Sequence, residues 1–205
     1  MPGATFSARC AGMNRRRPTF AALSAILCLS ACHSAHYRPV SDWPVRIGKP
    51  YKVAGVTYVP AADEHFDVLG YASWYGRESG NRVALGERFD ATWITAAHTT
   101  LPLPTYVEVT SLDTGRTILV RVNDRGPFSR GRILDLSRGA AEQLGVRARG
   151  QAAVRVRRVD PPEEERARLR RGKPVAERPR LSDAALANLR AQLQAGIANG
   201  LVAAP

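Results

Sequence analysis

Cysteine is almost absent from this chain, and its placement limits what can hold the fold together. The three cysteines are Cys10, Cys28 and Cys32, so all of them fall in the first 32 residues. The remaining sequence has no thiol from which a disulfide framework or a zinc site could be built. No internal repeat is visible, and nothing in the sequence indicates a metal or an organic cofactor.

Acidic residues are scarce beside basic ones. The 205 residues include 30 Lys and Arg against 18 Asp and Glu, which gives a net charge of +12. Such a protein favours polyanions, and nucleic acid, an anionic membrane or an anionic wall surface would each satisfy that preference. Hydrophobic residues make up 44% of the sequence. This content predicts a folded core, and the length allows one domain with extensions.

No acid precedes Cys32, and this N-terminal segment has the features of an export signal. Three arginines at positions 15–17 are followed by an apolar run at 20–29 and then by small residues. This order is typical of a secretory signal. The run is too short for a membrane span, which takes roughly 20 apolar residues. We predict a signal peptide over residues 1–31, with translation starting at Met1 or at Met13.

Residues 29–32, Leu-Ser-Ala-Cys, resemble the lipobox of bacterial lipoproteins. The resemblance implies cleavage before Cys32, lipidation of that residue, including palmitate, and anchoring to a membrane. An ordinary signal with a chance cysteine is the alternative. His33 follows the cysteine, where an aspartate would imply retention at the inner membrane. The predicted location is therefore the outer membrane, facing the periplasm.

Residues 32–66 carry four prolines and little periodicity, which predicts an extended tether behind the lipidated cysteine. Within it, residues 51–60 form two β-prone runs on either side of Ala54 and Gly55. This pattern predicts a small hairpin that packs against the folded domain.

Residues 67–159 predict a small β protein. Strands are expected at residues 69–75, 94–97, 106–111, 117–123 and 153–159, with a short buried strand or turn at 133–136. One short helix is expected after Ser137, which is an N-cap candidate, and before Gly145, which is a C-cap candidate. Five or six strands and one helix in about 90 residues favour a small closed barrel.

The strand predicted at 117–123 is half-buried, because apolar and polar residues alternate along it. The strand ends abruptly at Gly126 and Pro127. Gly126 permits a positive φ, and Pro127 has no N–H to donate to a neighbouring strand. Asp124 lies where this rigid strand becomes a turn, a frequent position for a reactive side chain. The alternative is that Asp124 only caps the turn.

After Asp160 the composition changes. Residues 161–180 are rich in charge and predict a solvated linker. Residues 182–196 then predict one helix that begins after Ser182 and ends at Gly196. This helix could dock on the barrel, dock on a partner, or fray. We expect residues 160–205 to form a charged, partly helical tail.

Five short motifs occur in a fixed order along the chain. They are Gly70-Tyr-Ala-Ser-Trp-Tyr-Gly76, Gly86-Glu-Arg-Phe-Asp90, Ala96-Ala-His-Thr-Thr-Leu-Pro102, Val122-Asn-Asp-Arg-Gly-Pro-Phe128 and Gly131-Arg-Ile-Leu-Asp-Leu-Ser137. Together they resemble the rare lipoprotein A (RlpA) family of septal lytic transglycosylases. The resemblance implies a mainly β fold, a six-stranded double-psi β-barrel. It implies a lyase that cuts peptide-free peptidoglycan strands between N-acetylmuramic acid and N-acetylglucosamine and leaves 1,6-anhydro ends.

By motif match, the family's functional residues fall on Glu87, His98 and Asp124. Breaking a glycosidic bond requires a proton for the leaving oxygen, and a carboxylic acid of raised pKa supplies it. Our hypothesis gives Asp124 the roles of acid and then base. His98 orients or polarises Asp124, and Glu87 binds substrate or stabilises the charged sugar ring.

The candidates for substrate binding are Trp74, Tyr75 and Arg125, with one of the two aromatic residues expected to pack in the barrel. The guanidinium of Arg125 either pairs with Asp124, which would make that residue a poor acid, or points away and pairs with Asp135. Asp135 lies between two leucines, so we expect it to be structural. Aromatic residues of the tether either pack or grip sugar rings.

Two departures from the family pattern set an alternative. The family's Thr-Ala-Asn-Gly-Glu is Val83-Ala-Leu85-Gly-Glu87 here, so two polar groups are replaced by apolar ones. Many members also carry a C-terminal SPOR domain that binds glycan, and residues 160–205 show no such domain. The alternative is a non-catalytic glycan-binding or division-site scaffold, recruited to division proteins by other means. Nucleic-acid binding is disfavoured, because an exported lipoprotein does not meet chromosomal DNA.

Overall fold

The computed structural model describes residues 1–3, 37–76 and 80–204. The predicted signal peptide and Cys32 lie outside this range, apart from the first three residues. All elements named below belong to one unit, His36–Pro205. Among the described residues, no helix has the length and apolar character needed to span a membrane.

The N-terminal hairpin pairs β1 (Tyr51–Val53) with β2 (Val56–Tyr58) in antiparallel register. Ala54 and Gly55 form its turn, both with positive φ, as predicted. The segment before and after the hairpin is attached to the barrel by backbone hydrogen bonds. Arg46 exchanges two such bonds with Leu103, and the Ala61 N–H donates to the carbonyl of Thr100. The tether is therefore part of the folded unit over these residues.

The domain is a closed six-stranded barrel in the order β3-β7-β4-β6-β5-β8. Its strands are β3 (Asp67–Tyr75), β4 (Thr95–Ala97), β5 (Thr105–Ser111), β6 (Thr117–Asp124), β7 (Leu134–Ser137) and β8 (Gln151–Arg158). The β3/β7 and β4/β6 pairs are parallel and the others antiparallel. The predicted strands are thus confirmed, and residues 133–136 contribute a strand rather than a turn.

Strand β6 is buried on both faces except at Asp124, whereas its alternation predicted a half-buried strand. One face carries Ile118, Val120 and Val122 into the apolar core. The other face is covered as well, and the only charged side chain on it, Arg121, is 1% exposed. A charged residue survives there because it is paired.

Helix α1 (Arg138–Leu144) crosses one end of the barrel with the predicted caps. The Ser137 hydroxyl accepts from the N–H of Ala140, and Gly145 adopts the left-handed conformation at the other end. Gly139 is required here, because a Cβ at that position would lie 2.2 Å from the carbonyl oxygen of Thr92.

The segment after Asp160 is not the solvated linker that its composition predicted. Helix α2 (Glu163–Arg170) buries Leu169 to 1% exposure against the barrel core. Arg178 then pairs its backbone with Thr117. The predicted C-terminal helix is present as α3 (Asp183–Ala198), capped by Ser182. It extends past Gly196 and docks on the barrel through Leu186 and Leu193, both buried.

Candidate active site

Asp124 is the last residue of β6 and lies on a groove of about 410 Å³. Its Oδ1 accepts two backbone hydrogen bonds, from Ala84 N at 2.7 Å and Arg125 N at 2.8 Å. These bonds favour the charged carboxylate, but burial outweighs them and raises the pKa of Asp124 above its ordinary value. The carboxyl group is therefore held in position by one oxygen and shifted toward carrying a proton.

A second carboxylate, that of Asp135, lines the same groove. The register explains why: Ala97 of β4 pairs with Asp124 on one side and with Asp135 of β7 on the other. The two Asp Cα atoms are thus separated by two strand spacings, about 9.5 Å. The small side chain of Ala97 lies between them at the floor of the groove.

Burial also raises the pKa of Asp135, and the nearby Arg132 opposes the shift. Arg132 Nε lies 3.4 Å from Asp135 Oδ1, and its NH1 donates to the Ser73 hydroxyl. The sequence indicated a structural role for Asp135 because leucines flank it. The structure places it in the groove, since residues 134 and 136 point into the core while residue 135 points the other way.

Arg125 does neither of the two things expected of its guanidinium group. NH1 donates to the carbonyls of His98 and Leu101, at 3.2 and 2.5 Å, and NH2 donates to the carbonyl of Ile47 at 2.9 Å. It pairs with neither Asp124 nor Asp135. Arg125 lines the groove, but its donors join the tether to the loop after β4, so we expect it to shape the site.

The two aromatic candidates are adjacent on β3, so their side chains point to opposite faces of the sheet. Tyr75 lines the groove, is 8% exposed and stacks on Phe89 with ring centroids 5.1 Å apart. Burial raises the pKa of its phenol. Trp74 is not among the groove residues. Its indole N–H donates to the carbonyl of Arg147, whose guanidinium lies over the ring.

Glu87 is not at the groove: it is 1% exposed inside the domain. Its two oxygens accept from Arg121 NH1 and NH2, at 2.7 and 2.8 Å, and Oε2 also accepts from Asn123 Nδ2 at 3.0 Å. Its carboxylate is therefore occupied by Arg121 and Asn123 and does not reach the groove in this structure, and its role toward the sugar ring stays a prediction. It anchors the loop 83–87, from which Ala84 donates to Asp124 and Leu85 to the carbonyl of Asn123.

His98 touches Asp124 only through the backbone, where its N–H donates to the Asp124 carbonyl at 3.0 Å. Its Nδ1 accepts from the N–H groups of Thr100 and Leu101, at 3.1 and 3.0 Å. The ring packs edge-on against Phe66 and lines a separate cavity of about 940 Å³. Burial, reinforced by Arg125, lowers its pKa to about 4, so the ring is neutral. The hydrogen bonds of the ring go to the loop after β4 and not to the Asp124 carboxylate, and the predicted role of the side chain toward that carboxylate stays a prediction.

No group of three or more His, Cys, Asp or Glu side chains within residues 37–76 and 80–204 is arranged to hold a metal ion. The groove offers two carboxylates of raised pKa, a buried tyrosine and the rim residue Phe128. This set of groups suits proton transfer to and from a neutral polar substrate.

Residues 67–156 match a protein family described as lytic transglycolase. A relative named endolytic peptidoglycan transglycosylase RlpA, from Rickettsia felis, is 39% identical over 153 residues, which cover 64% of this chain and 67% of the relative. The chain belongs to the RlpA family. An RlpA of Pseudomonas aeruginosa strain PAO1 is 46% identical over 71% of this chain and 43% of its own length. The chain thus spans less than half of that RlpA relative.

Among solved structures, a Streptomyces papain inhibitor aligns over 46% of this chain and 96% of its own, with 26% identity and a TM-score of 0.39. The RlpA family fold, the double-psi β-barrel, agrees with the six closed strands described above.

The structure also shows where the two apolar replacements in the RlpA motif lie. Val83 and Leu85 are 3% and 5% exposed and belong to the apolar core. Neither lines the groove. Only the backbone of Ala84 between them reaches Asp124. The apolar replacements therefore change core packing on the inner side of the loop and leave the lining of the groove intact.

Proposed function

We propose that this chain is an endolytic peptidoglycan lytic transglycosylase. It would cut peptide-free glycan strands between N-acetylmuramic acid and N-acetylglucosamine and leave 1,6-anhydro ends. Membership of the RlpA family supports the reaction class. The observation that carries the proposal is the groove itself, in which the partly buried Asp124 faces a second carboxylate across Ala97.

Asp124 is the acid in this proposal. Oδ1 is occupied by the amides of Ala84 and Arg125, so the proton is placed on Oδ2. Transfer of that proton to the glycosidic oxygen releases the N-acetylglucosamine side as the C1–O bond breaks. The C6 hydroxyl of the muramic acid then bonds to C1 and returns its proton to Asp124. The residue ends the cycle protonated, and no water is consumed.

Asp135 takes the role that the sequence assigned to Glu87. Arg132 lies beside its carboxylate and opposes the rise in pKa that burial causes, and the carboxylate faces the same groove as Asp124. A negative charge at that point stabilises the positive charge that develops on the sugar ring. The two carboxyl groups thereby have different environments and different tasks, as such pairs do in other glycan-cleaving sites.

The test is digestion of purified peptide-free glycan by the Asp124→Asn and Asp135→Asn variants, with mass analysis for anhydro ends. Asparagine keeps an oxygen for the two amides at position 124, so the local fold should survive. We expect a loss of at least about 10²-fold for Asp124→Asn and of about 10- to 100-fold for Asp135→Asn. Asp113→Asn, in the β5–β6 turn outside the groove, is the control. Undiminished cleavage by Asp124→Asn would refute the mechanism.

A non-catalytic glycan-binding scaffold is the second candidate. The apolar residues at positions 83 and 85 favoured it, and their burial in the core removes that support. Glycan binding by the native chain without anhydro products would restore it.

We also propose that the chain is lipid-anchored through Cys32 at the outer membrane, facing the periplasm, where peptidoglycan is within reach. The lipobox-like residues 29–32 support this location. We expect the native chain to incorporate labelled palmitate and to fractionate with the membrane. The Cys32→Ser variant should lose both properties. Division proteins that position the enzyme at the septum remain part of the same proposal.

A further inference from the structure

An aromatic cluster stands at the rim of the Asp124 groove, and the proposed reaction does not use it. Phe128 lines the groove and is 43% exposed. Its ring centroid lies 6.2 Å from that of Tyr51 and 5.5 Å from that of Tyr58, at edge-to-face angles of 79° and 60°. Tyr51 and Tyr58 stack on each other at 5.3 Å. Three rings thus form one surface that continues the groove onto the N-terminal hairpin.

The position of Phe128 favours a role in ligand binding. It is exposed where the polar groove meets the hairpin, and aromatic rings that line such grooves are typical of ligand sites. The two tyrosines are partly buried, whereas Phe128 keeps nearly half of its surface open. The hairpin therefore supports Phe128 from one side and leaves it accessible from the groove.

The hairpin is held firmly enough to position this surface. The Tyr51 hydroxyl donates to the carbonyl of Thr99 at 2.7 Å, and Arg125 NH2 reaches the carbonyl of Ile47 just before β1. Arg125 lines the groove beside Asp124, and the N–H of His98, which precedes Thr99, donates to the Asp124 carbonyl. Both attachments therefore end next to Asp124. A shift of the hairpin would move Phe128 relative to Asp124.

We propose that Phe128, supported by Tyr51 and Tyr58, is a sugar-stacking subsite of the glycan groove, next to the sugars that flank the cut bond. This inference rests on the proposed function for its substrate. Pyranose rings present faces of C–H bonds, and the negative face of an aromatic ring attracts them. The residues that match the lytic transglycolase family begin at 67, so the supporting hairpin lies outside that match.

The experiment measures binding and turnover separately on the full-length chain. Binding of peptide-free glycan is titrated on the Asp124→Asn background, where the strand stays intact, and KM and kcat are measured on the native background. The variants are Phe128→Ala, Phe128→Leu and Phe128→Trp. Val56→Ala is the control, because Val56 is 50% exposed on the same hairpin and does not line the groove. Thermal unfolding of each variant confirms that it is folded.

We expect Phe128→Ala and Phe128→Leu to weaken glycan binding and raise KM about five- to tenfold, with kcat within about twofold of native. Phe128→Trp should bind as the native ring does or more tightly, and Val56→Ala should be unchanged. Equal binding by Phe128→Ala and Val56→Ala, or by Phe128→Leu and Phe128→Trp, would overturn the subsite. If ring-dependent binding is found but the native chain yields no anhydro ends, the subsite stands and the proposed enzyme fails. If the native chain neither binds nor cuts glycan, both fail.

Discussion

Replacing Glu87 by glutamine should destabilise the fold far more than it impairs the chemistry. Glu87 and Arg121 are each 1% exposed and are joined by two hydrogen bonds of 2.7 and 2.8 Å. The glutamine side chain keeps one acceptor oxygen. Its NH₂ group, however, takes the place of the second oxygen and faces N–H donors of Arg121 or Asn123, which it cannot accept from. Removing one charge of a buried pair costs about 3–5 kcal/mol, because the partner charge is left uncompensated.

The structure places the cost near the lower end of that range. Arg121 Nε also lies 3.1 Å from Asp42 Oδ1, and NH2 donates to the carbonyl of Ser41 at 2.8 Å. Asp42 therefore retains part of the compensation, and we expect a loss of about 3 kcal/mol in the free energy of unfolding. At about 2–4 °C per kcal/mol for a domain of this size, Tm should fall by about 6–12 °C.

The assay pairs thermal and denaturant unfolding with glycan digestion about 10 °C below the lowered Tm. The folded Glu87→Gln variant should retain cleavage within about tenfold, because the residue acts on Asp124 only through the loop that carries Ala84. The double variant Glu87→Met with Arg121→Met should be more stable than Glu87→Gln, since no buried charge is left unpaired. A variant with unchanged Tm and cleavage lost by more than about 10²-fold would show that Glu87 takes part in the chemistry and that its burial has been misinterpreted.

Two further predictions concern residues whose roles the structure revised. Burial lowers the pKa of His98 from 6.5 to about 4, so protonation of its ring destabilises the fold by up to about 3 kcal/mol; this penalty is absent above pH 6.5 and grows as pH falls toward 4. His98→Asn keeps an acceptor for the two loop N–H groups without titrating, so the unfolding free energy of the native chain should fall relative to that of the variant as pH drops from 6.5 toward 4; a difference that stays constant over this range would contradict the assignment. Leu169→Ala should lower the free energy of unfolding by about 2–5 kcal/mol, because Leu169 is buried in the barrel core. Leu201 is 82% exposed, so the control variant Leu201→Ala should change the free energy of unfolding by less than about 0.5 kcal/mol. Equal stability of the two leucine variants in denaturant would mean that α2 does not dock.

Local signals predicted most of the barrel because they act within a few residues. The turn at Ala54 and Gly55 needs positive φ, and Ser137 and Gly145 satisfy the orphan backbone groups at the ends of α1. Alternation placed β6 and its end at Asp124 to within one residue. These features depend on backbone conformation and nearest neighbours, which the sequence states directly.

The candidate site was predicted in part for the same reason. Asp124 was found because its position at a strand end is local. Glu87 was assigned to the substrate by its motif, and its burial was missed because its partner Arg121 is 34 residues away in sequence and nothing near Glu87 indicates that pairing. Asp135 was predicted to have a structural role because leucines flank it. A charge alternating with leucines in a short strand faces away from the core, and that signal, together with Asp124, could have indicated the second carboxylate.

The C-terminal segment shows why composition fails where charges are paired in space. Residues 161–180 read as solvated because their average is polar, yet the arginines there have specific partners. Arg178 donates to Glu165 in α2 and to Glu108 in β5, while its backbone N–H donates to the carbonyl of Thr117 in β6. Surface ion pairs contribute little individually, so the docking depends on Leu169, whose burial an average over twenty residues conceals. A single apolar residue with a fixed place in the core thus decides whether a charged segment is a linker or part of the domain.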